Sequence, residues 1–441
     1  MTGHDRKDII STGSSCPFTS SRRQLLMGFG TAAAGGALAL GMAGPASADT
    51  AQVTDAPSGD AILQAQRVPF YGDHQAGIVT PRPANGLIAS FDVVAMQHDD
   101  VIDMLKKLTE RIARLTEGGE VVSHDPKLPP PDSGILGPDA KPDDLTITVG
   151  LGDSFFENRP WLKAMKPRRL QRMTQFRNDA LDPELCHGDL SIQFCANIGD
   201  TNIHALRDII KNLSADLVVR WMRQGSVPVI PPKPDGSHES ARNFLGFRDG
   251  TANPDSTNKP TMEKVVWVGE HDDEQAWAKG GSYQAVRLIR NFVERWDRTP
   301  LQEQEAIFGR VKDSGAPMDG KVENDLPNYA ADPEGKITAL DSHIRLANPR
   351  TADSQHNLIL RRPFNYSLGV TKSGQLDQGL LFICYQADLQ KGFIAVQNRL
   401  NGEPLEEYIK PVGGGYFFVM PGVCCPGDYL GQSLMEAAKP A

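Results

Sequence analysis

The sequence predicts an α+β protein in which one antiparallel unit is used twice. Three observations carry this. Gly86 to Val94 (GLIASFDVV) has a counterpart in Gly281 to Val293 (GSYQAVRLIRNFV), 195 residues later. Leu190 to Asn197 (LSIQFCAN) has one in Leu380 to Asp388 (LLFICYQAD), 190 residues later. After the second of these strands, each copy runs through a helical stretch to a closing strand, Leu217 to Met222 in the first and Tyr416 to Met420 (YFFVM) in the second. Two offsets so nearly equal argue for duplication. Each copy is read as a split βαβ, ferredoxin-like module, an antiparallel sheet with helices on one face.

The elements follow in order. Gly86 to Val94 alternates in its second half and reads as a strand. Asp99 to Leu115 (DDVIDMLKKLTERIARL) is an amphipathic helix with an acidic start, best explained as cover for a sheet. Ser123 to Asp144 is rich in Pro and Gly, lacks an apolar period and reads as a loop. Leu145 to Leu151 is a strand, Leu190 to Asn197 another, Thr201 to Leu213 a helix and Leu217 to Met222 a strand. The Pro-rich Ile230 to Glu239 (IPPKPDGSHE) is the seam. The expected division is a leader over 1–48, a first module over 49–238 and a second over 239–441.

The leader follows its own logic. Ser21-Arg22-Arg23-Gln24-Leu25-Leu26 is a twin-arginine pattern, followed by an uncharged run from Met27 to Met42 and the small residues Ala46-Ser47-Ala48. This is an export signal of the kind that carries folded proteins, often with a cofactor already inserted, to the cell envelope or beyond. The apolar run falls short of the roughly 20 residues of a spanning helix, so no stable span is expected after cleavage; retention of the leader as an anchor is the alternative. Cleavage removes Cys16 and leaves Cys186, Cys195, Cys384, Cys424 and Cys425, an odd number with no disulfide framework or CxxC pair evident. Asp and Glu number 55 against 46 Lys and Arg, which gives no basic footprint for nucleic acid.

Three charged segments of the second copy stand out: GFRDGTANP (Gly246 to Pro254), SHIRLANPR (Ser342 to Arg350) and LILRRPFN (Leu358 to Asn365). In the first, glycines bracket Asp249, which either bonds its own backbone in an Asx turn or is held in a fixed direction by the loop. In the second, His343 is either a structural group or a haem ligand, with Arg345 and Arg350 as candidates for two propionates or as ordinary surface charge. Gly413 to Gly415 lacks the lysine and helix of a phosphate loop. Cys384 reads as a core residue, and Leu381 and Phe382 face either the site or the opposite side of their sheet.

These segments, with GLLFICYQ and Gly309 to Pro317 (GRVKDSGAP), resemble the dye-decolourising peroxidase family. With the twin-arginine leader, the resemblance is to its exported class A branch, which includes deferrochelatase/peroxidases of the iron-uptake type and secreted actinobacterial enzymes. The resemblance implies haem b (iron protoporphyrin IX), with His343 as proximal ligand to the iron and Asp249 and Arg361 as the distal pair. It also implies that Gly250, Thr251 and Ala252 line the haem edge and that Asn348, Pro349 and Arg350 contact the macrocycle or a propionate. Hydrogen peroxide is the implied oxidant, and a dye, a phenolic compound or a metal ion the reductant. The competing reading is a haem- or iron-handling protein of deferrochelatase type, or one that works with a metal-trafficking protein such as a copper chaperone.

Residue types agree with these roles. Peroxide cleavage needs a positioned proton carrier, which Asp249 supplies, and a fixed positive charge, which Arg361 supplies. A carboxylate, with an ordinary pKa of about 3.9, still works as a base in acid, so activity is expected to be best below neutral pH. Trp221, Trp267, Trp277, Trp296 and Tyr416 are read as packing residues, or as surface relays for bulky reductants.

Overall fold

The computed structural model describes residues 67–121, 125–231, 234 and 239–439, so the twin-arginine leader lies outside the described residues. Two four-stranded antiparallel sheets share one topology. The first contains β1 (Asn85–Val93), β2 (Thr146–Gly152), β3 (Leu190–Ala196) and β4 (Leu217–Ser226), in the order β2-β3-β1-β4. The second contains β5 (Ser282–Asn291), β6 (Phe364–Val370), β7 (Leu376–Gln386) and β8 (Ile409–Val419), in the order β6-β7-β5-β8. The orders match position for position, so the duplication read from the offsets is a duplication of topology. Phe417 to Val419 pair with Gly150 to Gly152, and Ser226 pairs with Asn365, which closes the two sheets into one barrel.

Helices cover the outer face. α1 (His98–Glu117) buries Val101, Met104, Leu105, Leu108 and Ile112, a spacing of three and four residues that forms one stripe, and stops at Gly118 with φ 69°. Five such side chains contribute about 1.5–3 kcal/mol each. α2 (Gly199–Asn212) buries Ala205, Leu206 and Ile209 in the same layer. Inside the barrel the apolar filling is interrupted by a polar chain. Ser191 Oγ donates to Gln284 Oε1 at 2.7 Å, Gln284 Nε2 to the Tyr385 hydroxyl at 2.9 Å, and that hydroxyl to Gln193 Oε1 at 2.8 Å.

Strand alternation decides what faces the second module's helices. On β7, Leu381, Ile383 and Tyr385 point into the barrel, whereas Leu380 and Phe382 line a cavity under the helices. On β5, Val286 and Leu288 point inward, whereas Arg287 and Ile289 line that cavity. The open question over Leu381 and Phe382 is thereby resolved: only Phe382 faces the cavity. The helix layer here is α3 (Leu301–Phe308), α4 (His343–Ala347) and α5 (Ala395–Leu400).

Candidate active site

The cavity on the outer face of the second sheet has about 1820 Å3 of empty space, its mouth included. Asp249, Gly250, Thr251, Ala252, His343, Asn348, Arg350 and Arg361 all line it; Pro349 is not among the lining residues. Residues separated by more than a hundred positions in the chain thus meet at one site.

The loop that carries Asp249 answers why a charged pair sits in a glycine-rich turn. Arg248 turns one way, donating to Glu239 Oε2 at 2.6 Å and to the Ser240 carbonyl at 2.9 Å. Asp249 turns the other way, and its Oδ1 accepts from Arg361 Nη1 at 2.6 Å. Its backbone N–H is fixed on the Ala241 carbonyl at 2.8 Å, so the Asx-turn alternative gives way to a carboxylate aimed at Arg361. Gly250 adopts φ 145°, and a Cβ there would come within 3.1 Å of Ser240 Oγ. Arg361 is itself clamped. Asn253 Nδ2 donates to its carbonyl at 2.9 Å, and its N–H donates to Asn253 Oδ1 at 2.8 Å. A second, more polar opening, lined by Thr80 and Arg82, meets the first cavity at Asp249, Gly250 and Arg361.

His343 opens α4, with its Nδ1 2.7 Å from Glu403 Oε2. Burial alone pulls the imidazolium pKa down, but the Glu403 carboxylate, through charge and hydrogen bond, more than offsets this, so the net shift is upward. Glu403 is only 4% exposed at its side chain, and it holds the ring by Nδ1, leaving Nε2 as the nitrogen for a ligand. The charges of Arg361 and Asp249 both reach this imidazole.

Arg350, with φ 57°, lines the cavity with a buried Nε that has no protein partner. Arg345 does not join it. Its guanidinium is taken by Asp332 at 3.2 Å and by the Thr338 carbonyl at 2.7 Å, so the pairing of Arg345 with Arg350 for two propionates is corrected. Arg310 lines the cavity wall beside Tyr329, its Nη1 donating to the Gly315 and Glu323 carbonyls at 2.6 and 3.0 Å. The donor set fits haem b: an imidazole nitrogen for iron, apolar walls such as Leu358, Ile359 and Phe382 for the macrocycle, and guanidinium groups for its carboxylates.

Other candidates fall away. Cys384 is fully buried, and burial pushes its thiol far up, which disfavours a thiolate ligand. Trp221, Trp267, Trp277, Trp296 and Tyr416 are each at most 6% exposed, so the reading of these five as surface relays is overturned by burial. The five described cysteines are free thiols. Among the described residues no helix is long and apolar enough to cross a membrane.

Comparison with known proteins accords with this geometry. Residues 75–226 match the family model "Dyp-type peroxidase, N-terminal" and residues 240–424 match "Dyp-type peroxidase, C-terminal". The chain belongs to the dye-decolourising peroxidase family. Within it, the chain is 55% identical over 421 residues to a deferrochelatase of Yersinia pseudotuberculosis, covering 95% of each chain. It is 55% identical over 419 residues to a deferrochelatase of Escherichia coli, covering 94% of this chain and 97% of the other. A DyP-type peroxidase from Cellulomonas bogoriensis superposes with a TM-score of 0.74 at 34% identity, covering 84% of this chain and 98% of that one. DtpA from Streptomyces lividans, solved as an oxyferrous/water mixed complex, gives 0.74 at 32% identity, with 84% and 97% covered. This dye-decolourising peroxidase is a haem-dependent enzyme, its cofactor is haem b, and its fold is the duplicated ferredoxin-like one expected.

Two residues at the site escaped sequence reasoning. Glu403 lies sixty positions from His343, and its only local signal is that of an acid preceding Pro404 at the start of a short helix. Asn253 belongs to GFRDGTANP, and nothing local shows that its amide reaches across to Arg361.

Proposed function

We propose that Asp249, Arg361 and His343 are the working residues of a peroxidase that reduces hydrogen peroxide and oxidises dyes, phenolic compounds or a metal ion. The observation that carries the proposal is the 2.6 Å Asp249–Arg361 pair in the same cavity as the His343–Glu403 pair. Bound haem b supplies the iron at which peroxide is cleaved and the electrons are exchanged. His343 would hold that iron through Nε2, with Arg310 and Arg350 taking the carboxylates and Gly250, Thr251 and Ala252 along the edge. Asn348 braces this end, its Oδ1 accepting from the Arg350 N–H and from Ser354 Oγ, each at 3.1 Å.

Asp249 accepts a proton from one peroxide oxygen and returns it to the other, which leaves as water. Arg361 stays protonated and stabilises the negative charge that grows as the O–O bond lengthens. Small polar molecules have their own way to this pair through the second opening. The twin-arginine leader supports export of the protein to the envelope or the medium.

The 55% identity to deferrochelatases favours a second reading, in which the same cavity handles haem or its iron. The two readings part at the distal pair. Asp249→Asn and Arg361→Gln should each lower peroxide-dependent dye oxidation by about 10²–10⁴-fold while haem stays bound. Dye oxidation at the wild-type rate in both variants would remove them from the mechanism. Haem or iron release, measured separately and unaffected by the same substitutions, would show a second activity that does not use them.

A further inference from the structure

A cluster of aromatic side chains behind His343 takes no part in the chemistry above. The His343 and Phe308 rings are 5.8 Å apart between centroids, and Phe308 stacks on Phe247 at 4.0 Å. Phe308 is 5.7 Å from Trp296, and Trp296 is 4.9 Å from Tyr408, whose hydroxyl accepts from Thr299 Oγ1 at 3.1 Å. The rings thus form a continuous path leading away from the imidazole, along which oxidising equivalents could leave the cofactor.

Features at Trp296 oppose that loss. Lys312 Nζ lies 5.8 Å from the centroid of the Trp296 ring and 5.5 Å from that of Phe247, and it donates to Gln304 Oε1 at 2.6 Å. A cation on a ring face favours the neutral, electron-rich ring over its oxidised form. The indole Nε1–H donates to the Leu245 carbonyl at 2.8 Å. A carbonyl does not take up that proton, so an oxidised indole would keep a full positive charge beside the ammonium. Trp296 is 1% exposed, so little solvent reaches the indole end of this contact. Asp297, Glu305 and Arg242 also face Lys312, but the ammonium is the charge seated on the rings.

We propose that Lys312 is a positioning residue that insulates the cofactor, holding oxidising equivalents there by making Trp296 hard to oxidise. The suppressed step is a one-electron transfer. Trp296 would lose one electron to the cofactor that hydrogen peroxide has oxidised, leaving an indole radical cation, with no bond formed and no proton moved. The inference rests on the proposed role of His343 at the iron.

The test uses haem-loaded wild type, Lys312→Met, Lys312→Gln and Lys312→Arg, each given one equivalent of hydrogen peroxide without reductant. Electron paramagnetic resonance measures protein-based radical, and peptide mass spectrometry measures oxidation at Trp296. Wild type and Lys312→Arg should show little of either. The two neutral variants should show roughly fivefold more, the factor a partly exposed cation–π contact is worth, with the Soret band and initial peroxide consumption unchanged. Neutral variants that match wild type while carrying haem would overturn the insulation. So would wild type in which Trp296 is already the main oxidised tryptophan, a result that needs no variant to fold. An error over His343 shows separately, as a Soret band indifferent to replacing that residue.

Discussion

At Asp249 the direction of one side chain separates a self-bonded turn from a carboxylate that lines the cavity. The sequence shows the acid between two glycines, but only the fold shows that Arg248 is tied back to Glu239 while Asp249 meets Arg361. Arg345 and Arg350 teach the same lesson in reverse. Five positions apart on SHIRLANPR, one is taken by Asp332 and the other lines the cavity, because proximity in sequence does not fix where a side chain points. Residue types and the family resemblance pointed to His343, Asp249 and Arg361, which line one cavity; their partners were not legible, since Glu403 and Asn253 bond across long separations. Two predictions belong here. Glu403→Gln removes the anion behind the imidazole and should speed haem transfer to an apo-acceptor protein by about 10–100-fold; unchanged transfer kinetics would show that the carboxylate does not support the ligand. Asn253→Ala strips two hydrogen bonds from the Arg361 backbone and should cost about 1–3 kcal/mol in urea unfolding, with a slower peroxide reaction.

At the scale of elements, the strands that alternate cleanly were legible, and those that do not were shortened or missed. β6 (Phe364–Val370) went unread because Ser367 to Val370 are exposed and the strand follows Arg361-Arg362-Pro363, which looks like a charged loop. β8 begins at Ile409, seven residues before the expected Tyr416, because Pro411 and Gly413 to Gly415 disguise a strand that carries an irregularity between Pro411 and Gly413. α4 is only five residues long, and its place depends on α3 ending at Gly309, which has φ 81°. A Cβ at Gly309 would lie 2.9 Å from Ile344 Cγ1 and from Ser342 Oγ, either side of His343. Gly309→Ala should therefore lower the melting temperature and weaken haem binding together, by about 1 kcal/mol or more from backbone strain alone. A variant as stable as wild type would mean that the turn does not hold α4.

Across the whole molecule, the two modules are tied by buried charge as well as by the closed sheet. Arg287 on β5 forms an ion pair with Asp179, each side chain 1% exposed, and Asp179→Ala would leave a buried guanidinium unpaired, at a cost of about 3–5 kcal/mol. His187 couples the fold to pH. Burial, then the charges of Arg172 and Arg220, push its pKa down to about 4, whereas the unfolded chain binds the proton near pH 6.5. The stability it contributes is complete above about pH 6.5 and is lost as pH falls toward 4. His187→Asn, which tolerates the φ of 63° at this site, should flatten that part of the stability profile in urea melts; equal slopes for both proteins would contradict this. The account as a whole depends on distant residues converging on one cofactor, and haem b titrated into apoprotein while the Soret band is recorded tests this most directly. Wild type should bind one equivalent with a strong band, Asp249→Asn should do the same, and correctly folded His343→Ala should lose the histidine-ligated spectrum. A His343→Ala spectrum identical to wild type, or wild type that stays colourless with haem in excess, would contradict it.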